Sequence, residues 1–147
     1  MQNKIDILER LISYTQDSVN GYREAADLVR KDDPGLSGLF EDRLRHREPI
    51  LDHLRMRLRA LDADNDALTS DGTAAGYLHQ IFMKFRAAFG NNRKAALAEV
   101  ERGEKMLIEA FEDARKNAEP ELATVISEFL DSIRMDEQSV ESMRKSA

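Results

Sequence analysis

The 147-residue chain has no cysteine and no tryptophan. Without a thiol there can be no disulfide, no thiolate metal site and no cysteine nucleophile. Proline (three) and glycine (seven) are scarce, so little of the chain reads as turn or linker. No stretch approaches the ~20 consecutive apolar residues of a bilayer span. The start, Met1 to Asp6, leads straight into charged periodic sequence without the apolar run of a signal peptide, so a cytoplasmic location is expected. Basic residues are the minority, 22 against 28 acidic ones, and the net charge of -6 repels phosphate backbones and acidic membranes. Nucleic-acid binding is therefore not expected. Gly-rich phosphate loops and nucleophile motifs are missing too.

What is present is amphipathic sequence, 41% hydrophobic and 34% charged, of a length that suits one domain over residues 1–147. Leu8, Ile12, Thr15, Val19, Tyr22, Ala26 and Val29 follow at steps of four and three, one stripe of a helix. Asn3 is its expected N-cap, with Asp6 three residues on, and it should stop before Asp32-Asp33-Pro34. Asp33 reads as the next N-cap, with Pro34 at the first helical position. The second stripe runs Leu36, Phe40, Arg43, Arg47, Ile50, Leu54, Leu58, Leu61 and fades at Asp62–Asp66. A third extends from near Asn92 to about Asn117, and Glu119-Pro120 starts a fourth through Leu122, Ile126, Phe129, Ile133, Asp136, Val140 and Met143.

Each helix is roughly 26–28 residues, about 40 Å long, and four matched lengths predict an all-α four-helix bundle. The first and last pairs have turns short enough only for antiparallel hairpins, whereas about 30 residues, 62–91, separate the second helix from the third. A crossover of that length makes those two helices parallel, as in ferritin-like folds. Within it, Ala74 to Phe89 predicts a short helix with Leu78, Ile81, Phe82, Phe85 and Phe89 on one face.

Counting from the two short turns places Ser18 to Tyr22 beside Arg43 to Arg47, and Glu104 beside Ser132 and Ile133, all near mid-height. There the apolar stripes carry Arg43, Arg47 and Glu104, which a seam admits only with partners. Tyr22 belongs to the same polar layer. The backbone is irregular at this level as well. Gly21 and Gly103 sit in helix interiors at about 1 kcal/mol each relative to alanine, and Pro49 leaves the Arg45 carbonyl without its helical donor. One reading is a desolvated Arg47–Glu104 ion pair, the glycines admitting the guanidinium and the proline bending the helix. A second is a binding or reactive site. In a third, Arg43 and Arg47 snorkel to the surface.

Asn20-Gly21-Tyr22-Arg23-Glu24-Ala25-Ala26, Glu101-Arg102-Gly103-Glu104, the four matched helices and the crossover together resemble a bacterial family of ferritin-like four-helix bundles of uncharacterised function. Resemblance to that superfamily implies a di-iron centre, with one Glu on each of two helices and a Glu-x-x-His on each of the others. Position by position most of that set is missing. Asn20 stands at the Glu level of the first helix, and Arg47 and Ile50 stand where the second would carry Glu-x-x-His. The third keeps Glu104 with Glu101 nearby, and the fourth has no histidine, only Asp131-x-x-Arg134 and Ser132-x-x-Met135. An arginine inside a ligand set opposes a metal ion. The expectation is a non-enzymatic, ferritin-like bundle without cofactor, acting through a protein partner or self-association. The alternative is an iron-binding or redox protein with a reduced ligand set, Glu101, Glu104, Asp136 and Glu137.

His46 and His53 are seven residues apart on one side of the second helix, without the i, i+4 spacing of chelators, and His79 is on the crossover helix. Asp62 to Asp66 imitates the start of a calcium loop, but Ala67 replaces the required glycine and Thr73 the closing Glu. Asp71-Gly72-Thr73 reads as a turn. Phe82, Phe85 and Phe89 lie close in sequence to Lys84, Arg86, Arg93 and Lys94, so this basic amphipathic segment either covers the bundle or binds a partner or membrane.

Overall fold

A computed structural model describes residues 2–70, 72 and 76–147; it is all-helical, with no strand among them. The helices are α1 (Gln2–Val29), α2 (Pro34–Leu61), α3 (Tyr77–Phe89), α4 (Arg93–Asn117) and α5 (Pro120–Ser146), with one 3-10 turn at Asp66–Thr69. Ala74, Asp71 and Thr73 lie outside the described residues, so the short helix is described only from Tyr77. It follows Gly76, whose φ of 74° is the left-handed conformation that glycine adopts without a side-chain clash.

Side-chain caps start three helices. Asp33 accepts from Leu36 N at 3.1 Å, Asn92 from Ala95 N at 3.0 Å, and Glu119 from Leu122 N at 3.0 Å. Each satisfies a backbone donor that the first turn leaves without a partner. Pro34 and Pro120 occupy first-turn positions, where a missing N–H costs nothing. Asn3, expected as a cap, is inside α1, and its Nδ2 donates instead to Asn117 O at 3.0 Å. Pro49 is exposed within an α2 that stays helical throughout.

α1 packs mainly on α2, and α4 on α5, with further contacts from α1 to α4 and from α2 to α5. Arg93 at the start of α4 pairs with Asp33 in the α1–α2 turn. At the opposite end the Asn3–Asn117 bond joins the start of α1 to the end of α4, and Asn65, just past α2, donates to Glu9 Oε2 at 3.2 Å. α3 lies across α1 and α4. No helix among the described residues is long and apolar enough to cross a membrane.

The core falls into two clusters. One contains Leu8, Ile12, Val19, Ile50, Leu54, Leu107, Phe111, Ile126 and Ile133. The other contains Tyr22, Ala26, Val29, Leu36, Phe40, Phe85 and Leu97. On α1 the change of cluster falls between Val19 and Tyr22, on α2 between Phe40 and Ile50, and on α4 between Leu97 and Leu107. The α2 and α4 intervals hold Arg43, Arg47, Glu101 and Glu104, and Ser18 adjoins the α1 interval, so polar groups mark the division between two apolar volumes.

Candidate functional site

Heptad spacing on α2 directs both Arg43 and Arg47 inward, and α4 directs Glu104 to the same height. Arg47 is 0% exposed and ranks among the largest fully buried side chains. Its desolvation is offset by hydrogen bonds from four of its five N–H groups. Nη1 donates to Ser18 Oγ at 2.6 Å and Glu104 Oε1 at 2.8 Å. Nη2 donates to Glu104 Oε2 at 2.8 Å and Asp136 Oδ2 at 3.1 Å. Only Nε has no partner. The parallel bonds to Glu104 form the bidentate fork that a planar guanidinium favours.

Asp136 on α5 gathers three cationic or ionisable neighbours. Besides Arg47 it meets Arg43 Nη1 at 3.5 Å and His46 Nδ1 at 3.0 Å. Arg43 also donates to Ser139 Oγ at 2.8 Å. Two guanidiniums there face two carboxylates, so the charges of these four groups balance. Burial works against the charge of Arg47, but the Glu104 carboxylate, helped by Tyr22 and Asp136, outweighs it and holds the pKa above its usual value. Arg47 thus stays a cation at any pH the fold survives.

Tyr22 closes the layer on the side of the aromatic cluster. The Arg47 Cζ lies 5.4 Å from its ring centroid, a cation–π approach. Its ring packs on Phe40 at 5.7 Å, and Phe40 meets Phe85 edge-on at 5.6 Å. Burial, then the nearby Glu104 carboxylate, push the Tyr22 phenol well above its ordinary pKa. Its hydroxyl is buried without a partner of normal hydrogen-bond geometry.

The four acids of the reduced ligand set do not converge. Glu104 and Asp136 are both taken by Arg47, whereas Glu101 and Glu137 come together with Glu141, their carboxylate oxygens within 4.8 Å of one another. Three cations face that second group, Lys145 among them with its Nζ 2.8 Å from Glu141 Oε1. Arg144 Nε contacts Glu101 Oε2 at 2.5 Å, and Lys105 Nζ lies 3.1 Å from Glu101 Oε1 and 3.9 Å from Glu137 Oε1. Burial raises the pKa of Glu101, but hydrogen bonds from Arg144 and Lys105 prevail and hold it below the ordinary value. Burial, with Glu141 and Glu101 adding, pushes Glu137 up.

Gly21 and Gly103 do not make room for the guanidinium. Both line a cleft between α1, α3 and α4. Phe85 is 2% exposed within the second cluster, with Phe82 and Phe89 packed partly buried against it. The aromatic face of α3 therefore lies on the bundle, leaving Lys84 and Arg86 outward. Arg43 does not snorkel either, being 5% exposed. His53 stacks edge-on against Phe129 at 5.3 Å and accepts from Arg57 Nε, and His79 is exposed. Sequence reasoning placed Ser18 at the level of the network but missed His46 and Ser139 as members of it; the only signal for Ser139 was a small polar residue near the charged level.

Fold and site together define an all-helical protein built around a buried arginine–carboxylate network. The sequence pattern of the family described as a domain of unknown function (DUF2383) matches residues 3–117, and the chain belongs to that family. The match ends where α4 ends, so α5, which brings Asp136, lies beyond it. No curated protein and no solved structure matches the chain.

Proposed function

We propose that this chain is a ferritin-like four-helix bundle with one long crossover, in which a guanidinium takes the position of the metal, and that it works as a non-enzymatic protein through contacts with another protein or a second copy of itself. The crossover is supported by the Arg93–Asp33 contact at one end and the Asn3–Asn117 bond at the other. The observation that carries the reading is the reach of one nitrogen. Arg47 Nη2 lies 2.8 Å from Glu104 Oε2 and 3.1 Å from Asp136 Oδ2, the place a cation bridging two carboxylates would take. A non-titrating cation there satisfies the acids and repels a metal ion, so the residues do not fit a di-iron centre. The large apolar side chains exposed among the described residues are Met56, Met83 and Met135, on three different helices, and methionine suits adaptable contact surfaces.

Anaerobic loading of the purified chain with ferrous iron, followed by metal analysis and light scattering, tests this. The expected result is substoichiometric iron whether or not Glu104 is replaced by alanine. Stoichiometric iron that disappears in Glu104→Ala overturns it. A second reading, an iron-binding protein with a reduced set, is favoured by the Glu101–Glu137–Glu141 group. There iron would have to displace Lys105, Arg144 and Lys145. It predicts ferroxidase activity that Glu137→Ala abolishes and Glu104→Ala spares.

A further inference from the structure

The cleft between α1, α3 and α4 opens to solvent, and its interior volume is about 60 Å³, which suits only a small molecule that extends into the open mouth. Its walls are mostly apolar, with Ile81, Phe82 and Phe85 from α3 and Val100 from α4. Two helix-interior glycines keep it open. A Cβ at Gly21 would meet no atom within 4 Å, and one at Gly103 would touch only Leu78 and Ile81, at 3.6 and 3.7 Å. The polar lining residues are Ser18, Tyr22, Glu104 and Asp17, and no basic side chain contributes.

Tyr22 is 6% exposed and lines this cleft, yet its hydroxyl has no hydrogen-bond partner of normal geometry. A buried hydroxyl in that state costs free energy that an occupant could recover. Beside it, each Glu104 oxygen accepts one bond from Arg47, leaving acceptor capacity on both. A group that accepts from Tyr22 and donates to Glu104 satisfies both at once, and a neutral hydroxyl does this. An ammonium cannot accept. A carboxylate cannot donate and meets two acids in the lining. A hydrocarbon leaves Tyr22 as it is.

We propose that this cleft is a binding site for a small uncharged alcohol or phenol, its hydroxyl between Tyr22 and Glu104 and its apolar body against Ile81, Phe82 and Phe85. The site shares Glu104 with the bundle centre, and its test uses no metal ion. Titration of the full chain with p-cresol, toluene and 4-methylbenzoate, followed by the NMR methyl signals of Leu78 and Ile81 and by thermal shift, tests it. The expected result is p-cresol binding at least about tenfold more tightly than toluene, since its hydroxyl gains bonds to both Tyr22 and Glu104, and 4-methylbenzoate not binding. Tyr22→Phe should lower the cresol-to-toluene ratio several-fold, leaving only the bond to Glu104, while toluene still binds. Gly21→Leu should abolish binding of both while the helical circular dichroism is kept. Millimolar p-cresol that moves no cleft methyl, a ratio unchanged in Tyr22→Phe, benzoate binding as well as cresol, or undiminished binding to folded Gly21→Leu each overturn the proposal. Should either variant fail to fold, the three-ligand comparison on the unmodified chain decides it alone.

Discussion

Arg47 of α2 and Glu104 of α4 meet through two parallel hydrogen bonds of 2.8 Å, both side chains shut off from solvent. No short turn links these helices, so the pair joins parts of the chain that are 57 residues apart. Its position at the boundary of two apolar clusters matters for register. A slip of one turn would put the guanidinium against Leu or Ile and leave two carboxylates uncompensated, a cost that excludes alternative alignments more effectively than apolar contacts can.

Arg47→Leu should therefore destabilise the protein by about 3–5 kcal/mol, since it leaves Glu104 buried without its cation. Asp136 keeps Arg43 at 3.5 Å and His46 at 3.0 Å, so the unpaired charge is chiefly that of Glu104. It follows that Arg47→Leu/Glu104→Leu should be more stable than Arg47→Leu alone. Urea unfolding of the three proteins checks this. A double variant less stable than the single one would show that the fork does more than neutralise charge.

Shortening the same residue tests the stand-in for a metal. In Arg47→Ala the Glu104 and Asp136 carboxylates face a space vacated by a cation, and manganese(II) should enter it. The melting temperature of the variant should rise with manganese, by an amount equivalent to about 2.7 kcal/mol at a hundredfold excess over Kd, while the unmodified protein does not respond. Equal responses would place any metal elsewhere, the Glu101 group being the first place to look.

Much of this was legible in the sequence because it depends on local periodicity. The stripes on the long helices, the Asp33 and Glu119 starts and the short helix ending at Phe89 all follow from side-chain spacing and capping chemistry. Counting from the two turns brought Ser18 to the level of Arg47, and the structure joins them at 2.6 Å. The same count matched Glu104 with Ser132 and Ile133, whereas Arg47 connects it to Asp136, a turn further on. The α2–α5 contact has no connecting turn to count from, so side-chain packing alone sets its register. For the same reason Glu141 could not be seen joining Glu101 and Glu137. The glycines were misjudged because a missing Cβ says where space is made without saying what lies on the other side, and here that is α3.

Two glycines should respond to alanine in opposite directions. Gly21 lies within α1, and its added Cβ would touch nothing within 4 Å. Gly21→Ala should thus stabilise the protein by about 0.5–1 kcal/mol through helix propensity and reduced freedom of the unfolded chain. Gly72 has a φ of +108°, and a Cβ there would fall against the Asp17 side chain and within 3.4 Å of its backbone nitrogen. Gly72→Ala should destabilise by about 1–3 kcal/mol. Thermal unfolding of both variants reads the contrast.

Phe85 distinguishes covering from docking. Its ring is buried against Phe40, so Phe85→Ala should cost about 3–5 kcal/mol, the usual loss for a core aromatic. Phe82→Asp should leave liposome co-sedimentation unchanged, because the aromatic face is turned onto the bundle. A Phe85→Ala variant as stable as the parent would mean that α3 contributes little to the core.

Opposite pKa shifts on neighbouring acids predict two separate pH windows. Glu137 lies above the ordinary value of 4.5, so the folded protein keeps its proton longer than the unfolded chain does. Its contribution to stability is present below 4.5 and is lost as pH rises through the folded value. Glu101 lies below 4.5, so its contribution is present above 4.5 and is lost as pH falls through its folded value. Glu137→Gln mimics the protonated acid. It should match the parent in acid and gain on it as pH climbs above about 4.5. Glu101→Gln should match the parent only well below 4.5, fall behind as pH rises to that value, and then stay behind by a constant amount. Urea unfolding between pH 3 and 7 measures both differences. If the two variants drifted in the same direction over the same interval, Arg144 and Lys105 could not be what separates the two carboxylates.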